Sequence, residues 1–208
     1  MGRRYNRRVV PAIVLAAGES SRMGRSKAML PYGNASQTFV TRILQTLRAG
    51  GAAGAFVVGR QDDEVLRGEV ETSGPFGTFT VNPTPEQGQL SSLIAGLNAA
   101  DRPGVSAVMV LPVDAPLVHA STIATLIATF SATRAPIVRA VHAHAHGHPV
   151  IFARTLFDEL RRADPAQGAK AVLRAHEDRV VNVEVNDPGV LADVDFPEDY
   201  ERLFGQRP

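Results

Sequence analysis

An apolar run at residues 9–15 leads directly into Ala16-Ala17-Gly18-Glu19-Ser20-Ser21-Arg22-Met23-Gly24-Arg25-Ser26-Lys27, and no other stretch restricts the chain so tightly. The run reads as a buried strand closed by glycine. A strand that opens into small residues lets backbone N–H groups approach a chain of phosphates. At Gly18 and Gly24 no Cβ blocks that approach, and a positive φ costs little. Arg22, Arg25 and Lys27 put cations beside them. Such a loop suits a nucleoside triphosphate lined by Leu15, Ala16, Ala17, Gly18 and Gly24.

Two common phosphate motifs do not fit. A P-loop has four residues between its glycines with Lys-Ser/Thr directly after, whereas five separate Gly18 from Gly24 and Lys27 lies further on. A dinucleotide fingerprint needs glycine at its first, third and sixth positions. The stretch from Leu15 to Pro31 instead resembles the signature loop of the molybdenum cofactor cytidylyltransferase-like nucleotidyltransferases, Leu-Ala-Ala-Gly-x-Ser-x-Arg-Met-Gly-x-x-Lys-x-Leu-Leu-Pro. Met29 is its one departure.

With 208 residues, 44% hydrophobic and 21% charged, the chain has enough apolar material for a full core. A net charge of +1 gives no general attraction to nucleic acid or acidic membranes, so anion binding must be local. The absence of cysteine excludes a disulfide framework, thiolate catalysis and cysteine-ligated metals, and fits a cytoplasmic protein. Residues 1–8 carry four arginines and read as a flexible basic leader, because the following apolar run is too short for an export signal and has no cleavage site. No run is long enough to span a bilayer. The expected domain is residues 9–208.

Strands are predicted at 55–59, 78–81, 107–111, 136–141 and 179–185, with helices at 38–49, 61–71, 89–100, 122–130 and 156–162 between them. This alternation predicts a three-layer α/β/α Rossmann-like fold, its mostly parallel sheet covered on both faces and its ligands at the carboxyl ends of the strands. The resemblance narrows the fold to the nucleotide-diphospho-sugar transferase type.

Pro112-Val113-Asp114-Ala115-Pro116 follows the most apolar strand, and its prolines hold the chain extended or turned with Asp114 projecting. A turn or helix-capping carboxylate would look the same. The resemblance implies that Asp114 binds Mg²⁺, although Val113 replaces the family's glycine. It adds Asp195 from the closing segment Asp193-Val194-Asp195-Phe196-Pro197-Glu198-Asp199, with Asp193 in reserve and Phe196 in place of threonine. It assigns Gly88 and Ser92 to the base and ribose, and His148 of Gly147-His148-Pro149 to the second substrate. Lys170 of Gly168-Ala169-Lys170 joins it there, though Ala166 replaces an acidic residue and a plain helix start with a solvated lysine fits equally. His142, His144, His146 and His148 alternate with small residues. On one extended segment they would share a face about 7 Å apart, as a half-exposed strand or a metal site.

Together these residues imply Mg²⁺-dependent transfer of CMP from CTP to the phosphate of molybdopterin cofactor, with Arg22, Lys27 and Asp114 as the catalytic groups. Ala17 favours CTP, since the guanylyl branch of the family more often has Leu-Ala-Gly-Gly. The alternatives are a GTP-using guanylyltransferase, a sugar- or polyol-phosphate nucleotidyltransferase, and a nucleotide-binding cofactor chaperone whose chemistry has lapsed. A molybdoenzyme or its maturation factor is the protein partner the resemblance suggests; neither nucleic acid nor membrane is expected.

Overall fold

The computed structural model describes residues 9–208 except Ser21 and Ala35. The basic leader at 1–8 lies outside the described residues. The shortest strand, β1 (Ala12–Leu15), is the centre of the fold, and all four of its residues are buried. Side chains alternate across a strand, so Ala12 and Val14 enter one core while Ile13 and Leu15 enter the other.

The remaining elements follow in order as α1 (Phe39–Ala49), β2 (Ala55–Arg60), α2 (Glu64–Thr72), β3 (Gly77–Asn82), α3 (Gln89–Ala100), β4 (Ala107–Pro112), α4 (Ala120–Thr133), β5 (Ile137–His142), β6 (Ala145–Ala153), α5 (Phe157–Arg161), α6 (Ala169–Ala175), β7 (Val180–Glu184) and α7 (Pro197–Phe204). They build one sheet in the order β3-β2-β1-β4-β6-β5-β7. Among the described residues only β6 runs antiparallel to its neighbours; the other strand pairs are parallel. Apolar faces of α1, α2 and α4 cover one side of the sheet, and those of α3, α5 and α6 the other. The three expected layers are present. Among the described residues no helix is long and apolar enough to cross a membrane.

Local chemistry adjusts the predicted boundaries. α2 begins at Glu64 rather than 61 because the Asp63 carboxylate accepts the Leu66 N–H at 3.0 Å and caps the helix there. The histidine run is not one extended segment. Ala143 and His144 take left-handed φ values of 47° and 65° and turn β5 back into β6, so His142 lies on one strand and His146 and His148 on the next. That turn removes the shared face on which a metal site in the run would depend.

Two devices dock the closing part of the chain. Asp187, 1% exposed, accepts hydrogen bonds from the His119 N–H (2.8 Å), the Thr122 hydroxyl (2.6 Å) and the Gly189 N–H (3.0 Å), which ties the turn at Pro188–Leu191 to the start of α4. Asp187→Ala would strand these donors, and we expect a loss of about 2–3 kcal/mol in urea unfolding, partly recovered by Asp187→Asn. The second device is a small core of Met23, Leu30, Phe39, Val194 and Tyr200 beneath the first loop. There the Tyr200 hydroxyl donates to the Pro31 carbonyl at 2.8 Å and anchors α7.

Candidate active site

The strand order reverses between β1 and β4, and in register Leu15 faces Pro112. A crevice opens outside the carboxyl ends at such a reversal, so the loop after β1 and the Asp114 turn after β4 lie side by side. The Val113 N–H still donates to the Leu15 carbonyl at 3.1 Å, and the Ala16 N–H to Val58 at 2.9 Å. Beyond them, among the described residues, the N–H groups of Ala17 and Gly18 have no acceptor.

The loop differs in one respect from expectation. Gly24 is left-handed with φ 72°, but at Gly18 φ is not positive, and among the described residues of the loop the other left-handed one is Ser20 at 49°. Ser20 closes the loop: its carbonyl accepts from Met23 and Gly24, and its hydroxyl accepts the Lys27 N–H at 3.2 Å. Gly18 matters for the space before it, since a Cβ there would meet nothing within 4 Å. Gly18→Ala should therefore leave the unfolding midpoint unchanged yet raise the nucleotide KM about tenfold, as the methyl fills space a phosphate needs. An unaltered KM would show that no ligand approaches there.

A cavity of about 430 Å³ occupies the crevice, lined by residues 15–18 of the loop with Arg22 and Lys27, by Gly88 and Ser92 at the start of α3, and by Asp114 and Asp195. Of the residues expected to line it, Gly24 does not. Gly88, with φ 85°, caps α3 without a side chain and leaves the first turn of the helix open toward the cavity. Ser92 is buried, and its oxygen accepts from the Asn82 amide at 3.0 Å, which leaves the O–H for a ligand. Asn82 also donates to Ser91 and accepts the Thr84 N–H, joining the end of β3 to the start of α3. Sequence reasoning missed it, because no local pattern marks the residue.

The carboxylates converge on Lys27. Its Nζ lies 2.6 Å from Asp195 Oδ1 and 3.3 Å from Asp114 Oδ2, with 13% of the lysine side chain exposed. Backbone pairing makes this possible, for the Val194 N–H donates to the Asp114 carbonyl at 2.9 Å. The Asp199 carboxylate in turn accepts the N–H groups of Asp195 and Phe196 and shapes the start of α7. Among the described residues no group of three or more His, Cys, Asp or Glu could hold a metal. Two converging carboxylates nevertheless fit Mg²⁺, which takes one or two carboxylates and completes its shell with water and substrate phosphates.

A second cavity, of about 790 Å³, shares Leu15 and Gln89 with the first. His148 and Lys170 both line it, so the two expected acceptor contacts are brought together. Burial holds the His148 imidazole below its usual pKa; Asp114 pulls it up and Lys170 pushes it further down. Its Nδ1 is buried and has no hydrogen-bond partner among the described residues. Asp193 faces this cavity too. Desolvation, then the charges of Asp114 and Asp195, push its carboxyl up to about 6 against the pull of Lys27, although the residue keeps an open surface. Arg139 is the unexpected member, held by the Asn182 side chain at 3.0 Å and beside His146 Nε2 at 3.1 Å. A lone cation inside the apolar stretch Ile137-Val138-Arg139-Ala140-Val141 was the signal for it.

The pattern of one family, described as the MobA-like NTP transferase domain, matches residues 12–180. The chain belongs to that family. It is a nucleotidyltransferase, and Asp193 and Asp195 lie beyond the matched stretch. A molybdenum cofactor guanylyltransferase of Rhizobium meliloti is 30% identical over 82% of this chain and 77% of its own length. The purine catabolism protein PucB of Bacillus subtilis is 28% identical over 92% and 94%. Among solved structures, Rv0371c of Mycobacterium tuberculosis superposes with a TM-score of 0.80 at 27% identity, covering 95% of this chain and 99% of its own. A further Rv0371c structure, a complex with manganese, covers 96% and 99% at TM-score 0.70 and 24% identity. The fold is the Rossmann-like nucleotide-diphospho-sugar transferase type.

Proposed function

We propose that the chain transfers CMP from CTP to the phosphate of a molybdenum cofactor acceptor and releases pyrophosphate. The observation that carries this reading is the pair of adjoining cavities with common walls at Leu15 and Gln89, the first holding Lys27, Asp114 and Asp195. The donor lies along Leu15-Ala16-Ala17-Gly18, and its phosphates take the N–H groups of Ala17 and Gly18 and the cations of Arg22 and Lys27. Gly88 and Ser92 flank its base and ribose. The acceptor fills the second cavity with its phosphate against His148 and Lys170.

An acceptor phosphate oxygen forms the new bond to the α-phosphorus while the bond from that phosphorus to pyrophosphate breaks in line. The attacking oxygen is already anionic at neutral pH, so His148 orients rather than deprotonates. Lys27 and Arg22 offset the charge that gathers on the leaving group. Asp114 and Asp195 are the residues that would hold Mg²⁺, which when bound neutralises phosphate charge and aligns the chain of phosphates. The manganese complex of Rv0371c supports a divalent cation.

Ala17 supports CTP, through the loop it shares with the cytidylyl branch. A second reading, with GTP as donor, is favoured by the relative named a molybdenum cofactor guanylyltransferase. Calorimetric titration with CTP, GTP, UTP and ATP in the presence of Mg²⁺ decides between them. Selective CTP binding supports the first reading, a GTP preference moves the donor to the second, and binding of none overturns both. Pyrophosphate release with molybdopterin cofactor, and none with sugar or polyol phosphates, then tests the acceptor.

A further inference from the structure

The two loop cations assigned to the triphosphate are both met by consecutive residues of one distant segment. Asp195 takes Lys27 at 2.6 Å, and the next residue, Phe196, lies under Arg22, whose guanidinium carbon is 5.3 Å from the ring centroid. Burial does not account for an aromatic residue here, because Phe196 is 45% exposed. Its backbone is nonetheless firmly set. The Phe196 N–H donates to Asp199 at 3.0 Å, Pro197 opens α7, and Tyr200 ties that helix to Pro31 at the far end of the same loop.

Among the described residues no hydrogen bond to Arg22 accompanies the ring contact. That has a chemical consequence. A carboxylate partner would occupy the N–H donors at the edge of the guanidinium, whereas an aromatic ring engages its face and leaves those donors free for phosphate oxygens. The ring also restricts a long side chain that would otherwise sample many rotamers before it met a ligand.

We propose that Phe196 is a positioning residue that presents the donor edge of Arg22 to the triphosphate. The proposal rests on the nucleotidyl-transfer reading above. It makes the turn before α7 a clamp with two grips, ionic at Asp195 and aromatic at Phe196, on the loop that follows β1. It also gives Phe196 a specific use, where the family pattern has threonine.

Kinetics of Phe196→Leu, Phe196→Tyr, Arg22→Ala and the double variant Phe196→Leu/Arg22→Ala test it, with hydrogen exchange of the 18–26 amides in the unliganded proteins alongside. Leucine keeps apolar bulk and removes the π face. We expect Phe196→Leu to raise the nucleotide KM about three- to fivefold with little change in kcat, and to speed loop exchange. Phe196→Tyr should restore both, and in the Arg22→Ala background Phe196→Leu should add nothing. An equal effect of Phe196→Leu in both backgrounds, or a tyrosine variant no better than leucine, would overturn the proposal. If the wild-type protein bound no triphosphate, the nucleotidyl-transfer reading would fall by itself. The exchange data would then still decide, since unchanged loop protection in Phe196→Leu removes the clamp.

Discussion

Asp114→Ala is expected to lower nucleotidyl transfer by roughly 10²- to 10³-fold, the scale on which a preorganised charge acts at a phosphoryl group. The fold should survive. What docks the closing segment here is the Asp114 carbonyl, which accepts the Val194 N–H and is untouched by a side-chain replacement. Lys27 keeps Asp195 at 2.6 Å, so no buried cation is left alone. The unfolding midpoint should stay within about 3 °C of the wild type. Turnover assays of the two proteins under saturating divalent cation make the check, and unchanged turnover would remove Asp114 from the chemistry. Lys27→Ala separates the two partners further. It should weaken triphosphate binding, whereas Asp114→Ala should act mainly on turnover.

The second large effect is on stability. Gly147 sits at the start of β6 against the turn at Pro188–Leu191, and a Cβ there would lie 2.1 Å from the Val190 carbonyl oxygen and 2.7 Å from its carbon. Those are backbone atoms, so no side-chain rotation relieves the contact. Gly147→Ala should therefore cost about 2–3 kcal/mol, an overpacking penalty, and lower the midpoint by about 4–12 °C. Gly147, Val190, Leu191 and Asp193 all line the second cavity, so the displaced turn should also raise the acceptor KM while the nucleotide KM holds. A variant as stable as the wild type would mean that the turn yields freely to the added methyl. Gly18→Ala, whose methyl meets no protein atom, makes the internal control.

The contrast between these glycines shows what a chain read without coordinates reveals. Residues 15–31 are legible as a phosphate-type loop because they form one contiguous pattern at the end of an apolar strand, whereas Asp114, at the end of another, takes its metal role from the resemblance alone. At Gly18 the absent Cβ matters and the expected positive φ does not occur, since whether a loop glycine needs it depends on how the turn closes, and here Ser20 closes it. Asn82 and Ser92 come from two elements that only the parallel pairing of β2 and β3 and the packing of α3 bring together. Alternating Ala and His between 142 and 148 mimics a strand, and neither Ala143 nor His144 advertises a left-handed turn as glycine would. Residues 145–153 are absent from the predicted strands, and strand pattern carries no direction in any case, so the antiparallel β6 was hidden. That Phe196 would meet Arg22 required the docking of α7 through Tyr200.

Among the described residues the hairpin between β5 and β6 is the one link between neighbouring strands of this sheet made without a helical crossover. Its two-residue tip, Ala143-His144, is exposed and precedes His146 on the wall of the second cavity. A chain can lengthen at such a tip without shifting the register pairs below it, Val141 with His146 and His142 with Ala145. The second cavity therefore has a built-in place for insertion at its side, where added residues would reshape the mouth of that cavity and leave the loop after β1 at the other as it is.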